Sequence, residues 1–246
     1  MGEKRWIVPD WPAAAHVRAF TTTRTGGVSQ GCYASMNPAD HVGDDPLAVA
    51  QNRQRLQQQL ELPAEPIWLQ QVHGITPVNA LESGLAPIAD ASWSQQAGVV
   101  CAVLTADCLP LLLCDQRGKT IAAVHAGWRG LAAGVIEQTV AAMPAQADEL
   151  LAWLGPTIGP QAYTVGDEVR DAFISHQDQA GLAFQRATDG WKADLYLLAR
   201  QRLAGCGVTA VYGGDRCTLS EPDDFFSYRR DGQTGRMASL IWLEQG

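Results

Sequence analysis

Gly98–Arg129 reads GVVCAVLTADCLPLLLCDQRGKTIAAVHAGWR, and three apolar runs divide it. Val99–Thr105 is the first, Leu109–Cys114 the second with Pro110 interrupting its ladder, and Thr120–Val124 the third. The polar, glycine-containing loop Gln116-Arg117-Gly118-Lys119 makes the second and third antiparallel neighbours, which brings Cys108 and His125 to one edge of a sheet. Runs this continuous predict strands covered on both faces, where Asp107, Cys108 and His125 each need a partner or a task. After Ala126-Gly127 a helix is expected from about Arg129 to Met143, with Pro144 beyond its end. Its amino terminus points back at the cysteine and histidine, where unpaired N–H groups favour an anion or a thiolate.

At 246 residues the chain is long enough for a substantial core, and a single domain over 1–246 is the expectation. The net charge of −8 and the absence of a Lys/Arg cluster argue against a nucleic-acid partner. MGEKRWIVPDWPAAAHVRAF carries an early basic pair but no apolar core of a signal, and no stretch approaches 18 uncharged apolar residues. A cytoplasmic protein with no membrane partner, expected as a monomer, follows. Six cysteines diluted in such a chain read as reduced thiols, with Cys101 and Cys114 as small buried apolar residues.

Upstream, Val17–Phe20 leads into Thr21-Thr22-Thr23-Arg24-Thr25-Gly26-Gly27-Val28-Ser29, either a backbone nest for an anion or an ordinary Gly-Gly turn. The polar excursion through Ser35-Met36-Asn37-Pro38 and Asp40-His41-Val42-Gly43-Asp44 is too long for a mere connection, and His41 beside its acidic neighbours reads as a surface histidine. Asp45-Pro46 opens a helix from about Leu47 to Leu62. Ile67–Gly74 is read as a strand ending in His73, and Asp90 as an acid supporting the site from behind. Further on come a strand at Leu151–Leu154, the rigid loop Gly155–Pro160, a helix from Glu168 to His176, and a helix Leu195–Leu203 capped by Asp194. A strand at Val208–Tyr212, the basic aromatic loop Phe225–Arg236 and a closing strand Met237–Leu243 complete the chain.

His73, Cys108 and His125 supply two imidazoles and a thiolate, the donor set of a zinc site with an open fourth position. The same atoms allow a cysteine hydrolase, with Cys108 as nucleophile, His125 as base and Asp107 or Asp90 orienting the imidazole. They also allow a single copper. A metal-stabilised binding module would need a closed set, and no fourth ligand is evident. Five histidines with no His-x-His pair are too few for the four coppers of a multicopper oxidase.

Gln71-Val72-His73-Gly74, Thr105–Pro110 and Val124–Gly130 resemble the YfiH family, also called the laccase-domain, polyphenol oxidase or peptidoglycan editing factor family. The resemblance extends to Thr23–Ser29, Asp40–Asp44, Gly155–Pro160 and Phe225–Arg229, nearly the whole chain. It implies an α+β fold, a mixed β-sheet sandwich flanked by helices, and zinc held by His73, Cys108 and His125. It also implies phosphorolysis of adenosine or inosine to base and ribose 1-phosphate, with methylthioadenosine cleavage and adenosine deamination as companions. Copper-dependent polyphenol oxidation and editing of peptidoglycan precursors are attached to the same family. For a nucleoside and phosphate as partners, the candidate contacts are Arg24 with Gly26 and Gly27, Asn37, Arg129 and Arg229. Asp107, beside the catalytic thiolate Cys108, is the candidate for an acid/base or supporting role.

Overall fold

The computed structural model describes residues 6–84 and 86–244; the basic pair Lys4-Arg5 lies outside the described residues. Its centre is the strand Leu109–Asp115, every residue of which is buried. Alternation explains why the run is apolar throughout. Leu111 and Leu113 face a helical layer, whereas Leu112 and Cys114 face a second sheet. Each fully buried leucine contributes roughly 1.5–3 kcal/mol relative to exposure.

That strand lies in a six-stranded mixed sheet in the order Ala210–Gly213, Leu150–Leu154, Leu109–Asp115, Ile121–Ala126, Ala91–Ser94 and Pro77–Asn79. The two outer pairs are parallel and the inner ones antiparallel. A four-stranded antiparallel sheet, Trp6–Ile7, Val17–Thr22, Met237–Leu243 and Val100–Thr105, packs on its inner face. The expected α+β sandwich is therefore present, with a small three-stranded sheet of Phe184–Ala187, Gly190–Ala193 and Thr164–Val165 alongside. Val100–Thr105 obeys the same alternation as its neighbour. Cys101 and Val103 point between the sheets, while Val100, Ala102 and Leu104 pack with Leu56 of the helix Pro46–Gln59. Asp45 caps that helix through Leu47 N (3.0 Å), with Pro46 in its first turn.

The first two apolar runs thus belong to different sheets, and Ala106–Cys108 is the crossover between them. The second and third runs pair antiparallel, with Pro110 opposite His125.

Two sequence expectations are corrected. The helix of 129–143 is two helices, Trp128–Ala133 and Val135–Ala142, because Gly134 adopts φ +106° and ends one before the next begins. Residues 67–74 are no strand either. Only isolated bridges at Ile67 and Gln70 pair with Cys101 and Ile88, and His73 turns left-handed at φ +59°. The Gln71 side chain takes a strand's place instead, accepting from Leu104 N (2.7 Å) and donating to Leu104 O (2.8 Å). Among the described residues no helix is long and apolar enough to cross a membrane.

Candidate metal centre and its cavity

His125 reaches the site from the last turn of pleat in Ile121–Ala126 and is buried. Its Nδ1 donates to Asp90 Oδ1 (2.7 Å), which leaves Nε2 free as a ligand. The same carboxylate fixes the second histidine through the backbone. Asp90 Oδ1 accepts from His73 N (2.9 Å), and Oδ2 from Gly74 N (2.6 Å) and Val72 N (3.2 Å). His73 is thereby held in its left-handed turn with its ring edge-on to His125, centroids 4.7 Å apart. Cys108 Sγ lies 3.7 Å from His73 Nε2, and the three donor atoms are all within 4.8 Å of one another.

Space for the triad is kept by glycine. A Cβ at Gly127 would stand 2.7 Å from His73 Cδ2 and 3.1 Å from Cys108 Sγ. A Cβ at Gly130 would stand 2.6 Å from Gly74 O, so the first turn of the helix Trp128–Ala133 lies directly against the His73-Gly74 backbone.

Burial pushes the thiols of Cys101 and Cys114 up to about 12, against a hydrogen bond with Ser92 at Cys101 and with the charge of Asp115 adding to it at Cys114. For Cys108 burial acts in the same sense but is outweighed by the charge of His125 and by hydrogen bonds from both imidazoles, and the thiol falls to about 6. His125 moves the other way: burial opposes its charge, yet the Cys108 thiolate and Asp90 raise it to about 9. Two imidazole nitrogens, one thiolate and a carboxylate behind one imidazole form a donor set able to hold a transition metal, with one side open to the cavity.

The cavity measures about 560 Å³. Arg129, Arg229 and Arg236 line it, each against an aromatic ring: Trp128 at 4.3 Å, Tyr163 at 5.1 Å and Tyr228 at 5.9 Å. Arg229 Nη1 donates to Thr164 O (2.8 Å), and Arg236 Nη1 to Thr234 O (2.8 Å) and Gly235 O (3.0 Å). Among the described residues the Arg129 guanidinium has neither a carboxylate nor a hydrogen-bond acceptor. The arginine wall is joined to the triad by Asp107, whose backbone stands at φ +87°. Its carboxylate accepts from the hydroxyls of Thr218 and Ser227 and from Arg229 N (2.6 Å), while its carbonyl accepts from Ile158 N (3.0 Å) and the Thr157 hydroxyl.

The structure therefore gathers His73, Cys108, His125, Asp107, Arg129 and Arg229 around one cavity. Arg24, Gly26, Gly27 and Asn37, also expected as substrate contacts, are not among its lining residues. Arg24 donates to Ala34 O (3.1 Å) and Pro222 O (3.0 Å) and lies over Phe226. Nor does the Gly26-Gly27 turn form an open nest, because Gly27 N donates to Ser35 Oγ (3.1 Å) and Val28 N to Asn52 Oδ1 (2.8 Å). Asn37 is fully buried and bonded to Ala39, Asp44 and Arg236 N. Asp107, expected in an acid/base or supporting role, carries two hydroxyls and an amide on its carboxylate oxygens, the arrangement of a supporting acceptor. Sequence reading passed over Trp128, Tyr163, Tyr228, Arg236 and His41 as lining residues. The aromatic residues within the glycine-bounded loops were the available signal.

Residues 18–244 match the family model described as multi-copper polyphenol oxidoreductase laccase. A Pseudomonas aeruginosa protein named purine nucleoside phosphorylase is 55% identical over 97% of this chain and 98% of its own length. The Escherichia coli purine nucleoside phosphorylase YfiH is 52% identical over 96% of this chain and 98% of its own. Among solved structures, a Neisseria meningitidis protein is 53% identical with a TM-score of 0.95, covering 98% of this chain and 100% of that one. YlmD of Geobacillus stearothermophilus is 32% identical with a TM-score of 0.91, covering 100% and 98%.

Proposed function

The chain belongs to the laccase-domain family that includes YfiH, and from that premise we propose that it is a zinc-dependent purine nucleoside phosphorylase. The observation that carries the reading is the meeting of a His-Cys-His donor set and three arginines in one cavity of small-molecule size. The substrates are a purine nucleoside and inorganic phosphate; the products are the free base and ribose 1-phosphate.

His73, Cys108 and His125 would hold the zinc, which when bound supplies Lewis acidity toward a substrate oxygen. Arg129, Arg229 and Arg236 bind the phosphate and aim one of its oxygens at C1′ of the ribose. Stacking on Trp128, Tyr163 and Tyr228 holds each guanidinium in place before substrate arrives, which lowers the cost of ordering it. The exposed parts of the Trp128 and Tyr228 rings give the purine an apolar wall. As the C1′–O bond forms the C1′–N9 bond breaks, and the base leaves most readily with a proton delivered to it. Methylthioadenosine cleavage and adenosine deamination are proposed as companion activities of the same cavity.

Inosine phosphorolysis by the purified protein tests this, with zinc determined on the same sample before and after chelation. Hypoxanthine release that needs both phosphate and zinc is the expected result. Stoichiometric zinc without nucleoside cleavage would leave the centre standing and remove the substrate.

One observation favours a second reading. Cys108, lowered to about 6 beside a His125 that Asp90 orients, has the layout of a cysteine nucleophile with its base, suited to a hydrolase acting on a cell-wall precursor. That enzyme would be inactivated by thiol alkylation and indifferent to chelators. Multi-copper chemistry is not proposed, since among the described residues the donor cluster consists of two histidines and one cysteine.

A further inference from the structure

The loop Asp40–Asp44 is held far more firmly than a surface excursion requires. Buried Asn37 braces it, donating to Ala39 O (3.2 Å) and Asp44 Oδ2 (2.8 Å) and accepting from Ala39 N (3.1 Å). Tyr33 donates its hydroxyl to Val42 O (2.7 Å), and Gly43 at φ +90° turns the chain over that phenol. Arg53, from the helix Pro46–Gln59, donates to Pro38 O (2.8 Å) and pairs with Asp40 (3.1 Å). Asn37 Oδ1 also accepts from Arg236 N (3.0 Å), which ties the loop to the arginine wall. What this bracing presents to the cavity is the imidazole of His41.

Few lining groups can exchange a proton with substrate once metal is bound. His73, Cys108 and His125 are taken as ligands, and both Asp107 oxygens are occupied by donors. Phenols and guanidiniums are far weaker acids than an imidazolium, and burial pushes Tyr163 up further, to about 12. His41 is the group that remains.

We propose, on the phosphorylase reading, that His41 is the catalytic acid that protonates N7 of the departing purine. The C1′–N9 pair moves into the purine ring as a phosphate oxygen bonds to C1′, and N7 takes the imidazolium proton. The ribose phosphate ester formed from monohydrogen phosphate then returns its remaining proton to His41. Atoms and charge balance with no further reactant. Burial and Arg236 lower the pKa of His41, Arg53 adding to them and Asp40 at 3.6 Å opposing, so its imidazolium is a stronger acid than a free one.

The test compares inosine with 7-methylinosine, whose N7-alkylated base leaves as a neutral molecule without a proton. In the zinc-loaded protein, His41→Gln is expected to lower kcat/KM for inosine by about 10²–10⁴-fold. Cleavage of 7-methylinosine should stay at the wild-type rate and the zinc content should not change. His41→Asn gives the same comparison should His41→Gln misfold. An equal loss on both nucleosides would make His41 a binding or structural residue, and no loss on either would remove it from the reaction; each outcome overturns the proposal while the phosphorylase reading stands. A zinc-loaded wild type that cleaves neither nucleoside overturns both.

Discussion

Asp90 and Asp107 are both buried carboxylates beside the donor triad, yet their partners differ in kind. Asp90 is satisfied by the amides of Val72, His73 and Gly74 and by the imidazole of His125, so it holds two of the three residues of the candidate metal centre directly. Asp107 is satisfied by Thr218, Ser227 and Arg229 N, all from the far end of the chain. One carboxylate sets the candidate metal centre, and the other fixes where the arginine wall stands relative to Cys108. The same residue type thus serves two subsites, distinguished by what donates to it.

Removing a ligand outright should have the largest effect. Cys108→Ala is expected to abolish stoichiometric zinc and to cost several kcal/mol of transition-state stabilisation, on the order of a thousandfold in phosphorolysis. Metal analysis and initial rates on one preparation decide it; full activity without zinc would dissolve the distinction between the two subsites. In protein stripped by a chelator, Cys108 should alkylate with a rate that rises with pH through about 6 and then levels, because the thiolate is the reactive form. Cys101 and Cys114, buried and held up at about 12, should stay unmodified in the folded protein over the same range. Mass mapping of the labelled peptides checks both halves.

The two aspartates themselves come next. Asp90→Asn should weaken zinc binding by about 10–100-fold, read by competition with a chelator, since it takes the carboxylate from behind His125. Asp107→Asn should leave zinc affinity alone and raise the KM for phosphate by roughly tenfold, the loss of one charge-assisted bond that positions Arg229. If Asp107→Asn lost metal and Asp90→Asn lost phosphate affinity, the assignment of the two carboxylates would be reversed.

How much of this was legible in the sequence follows from the range of each interaction. The strands Leu109–Asp115 and Ile121–Ala126 were readable because both faces are covered and a short polar loop joins them. The helix at Pro46 was readable because its cap is local. The supporting place of Asp90 could be guessed from its position before the central run. The conformation of His73 could not: 67–74 has the composition of a strand, but its last amides go to the Asp90 side chain rather than to a neighbouring strand. The partners of the Asp107 carboxylate were hidden for a like reason, since they lie 111 to 122 residues away. Arg24 was ambiguous in the opposite direction, because an arginine beside two glycines looks the same whether its guanidinium meets a ligand or, as here, the protein's own carbonyls.

Arg24 therefore supplies the smallest expected effect and a control on the comparison. Its guanidinium is used by Ala34 O, Pro222 O and the Phe226 ring, and it serves to pin the loop at Ser35 to the segment before Phe225. Arg24→Gln should lower stability by about 1–2 kcal/mol, the sum of modest hydrogen bonds and a stacking contact, while the KM for phosphate stays at its wild-type value. Arg129→Gln, by contrast, removes a cavity guanidinium that no acceptor among the described residues holds and should raise that KM without changing stability. Denaturant midpoints and phosphate titrations on the two variants separate an arginine that builds the wall's foundation from one that faces the ligand; a phosphate defect in Arg24→Gln alone would mean that the anion enters by the Gly26-Gly27 turn after all.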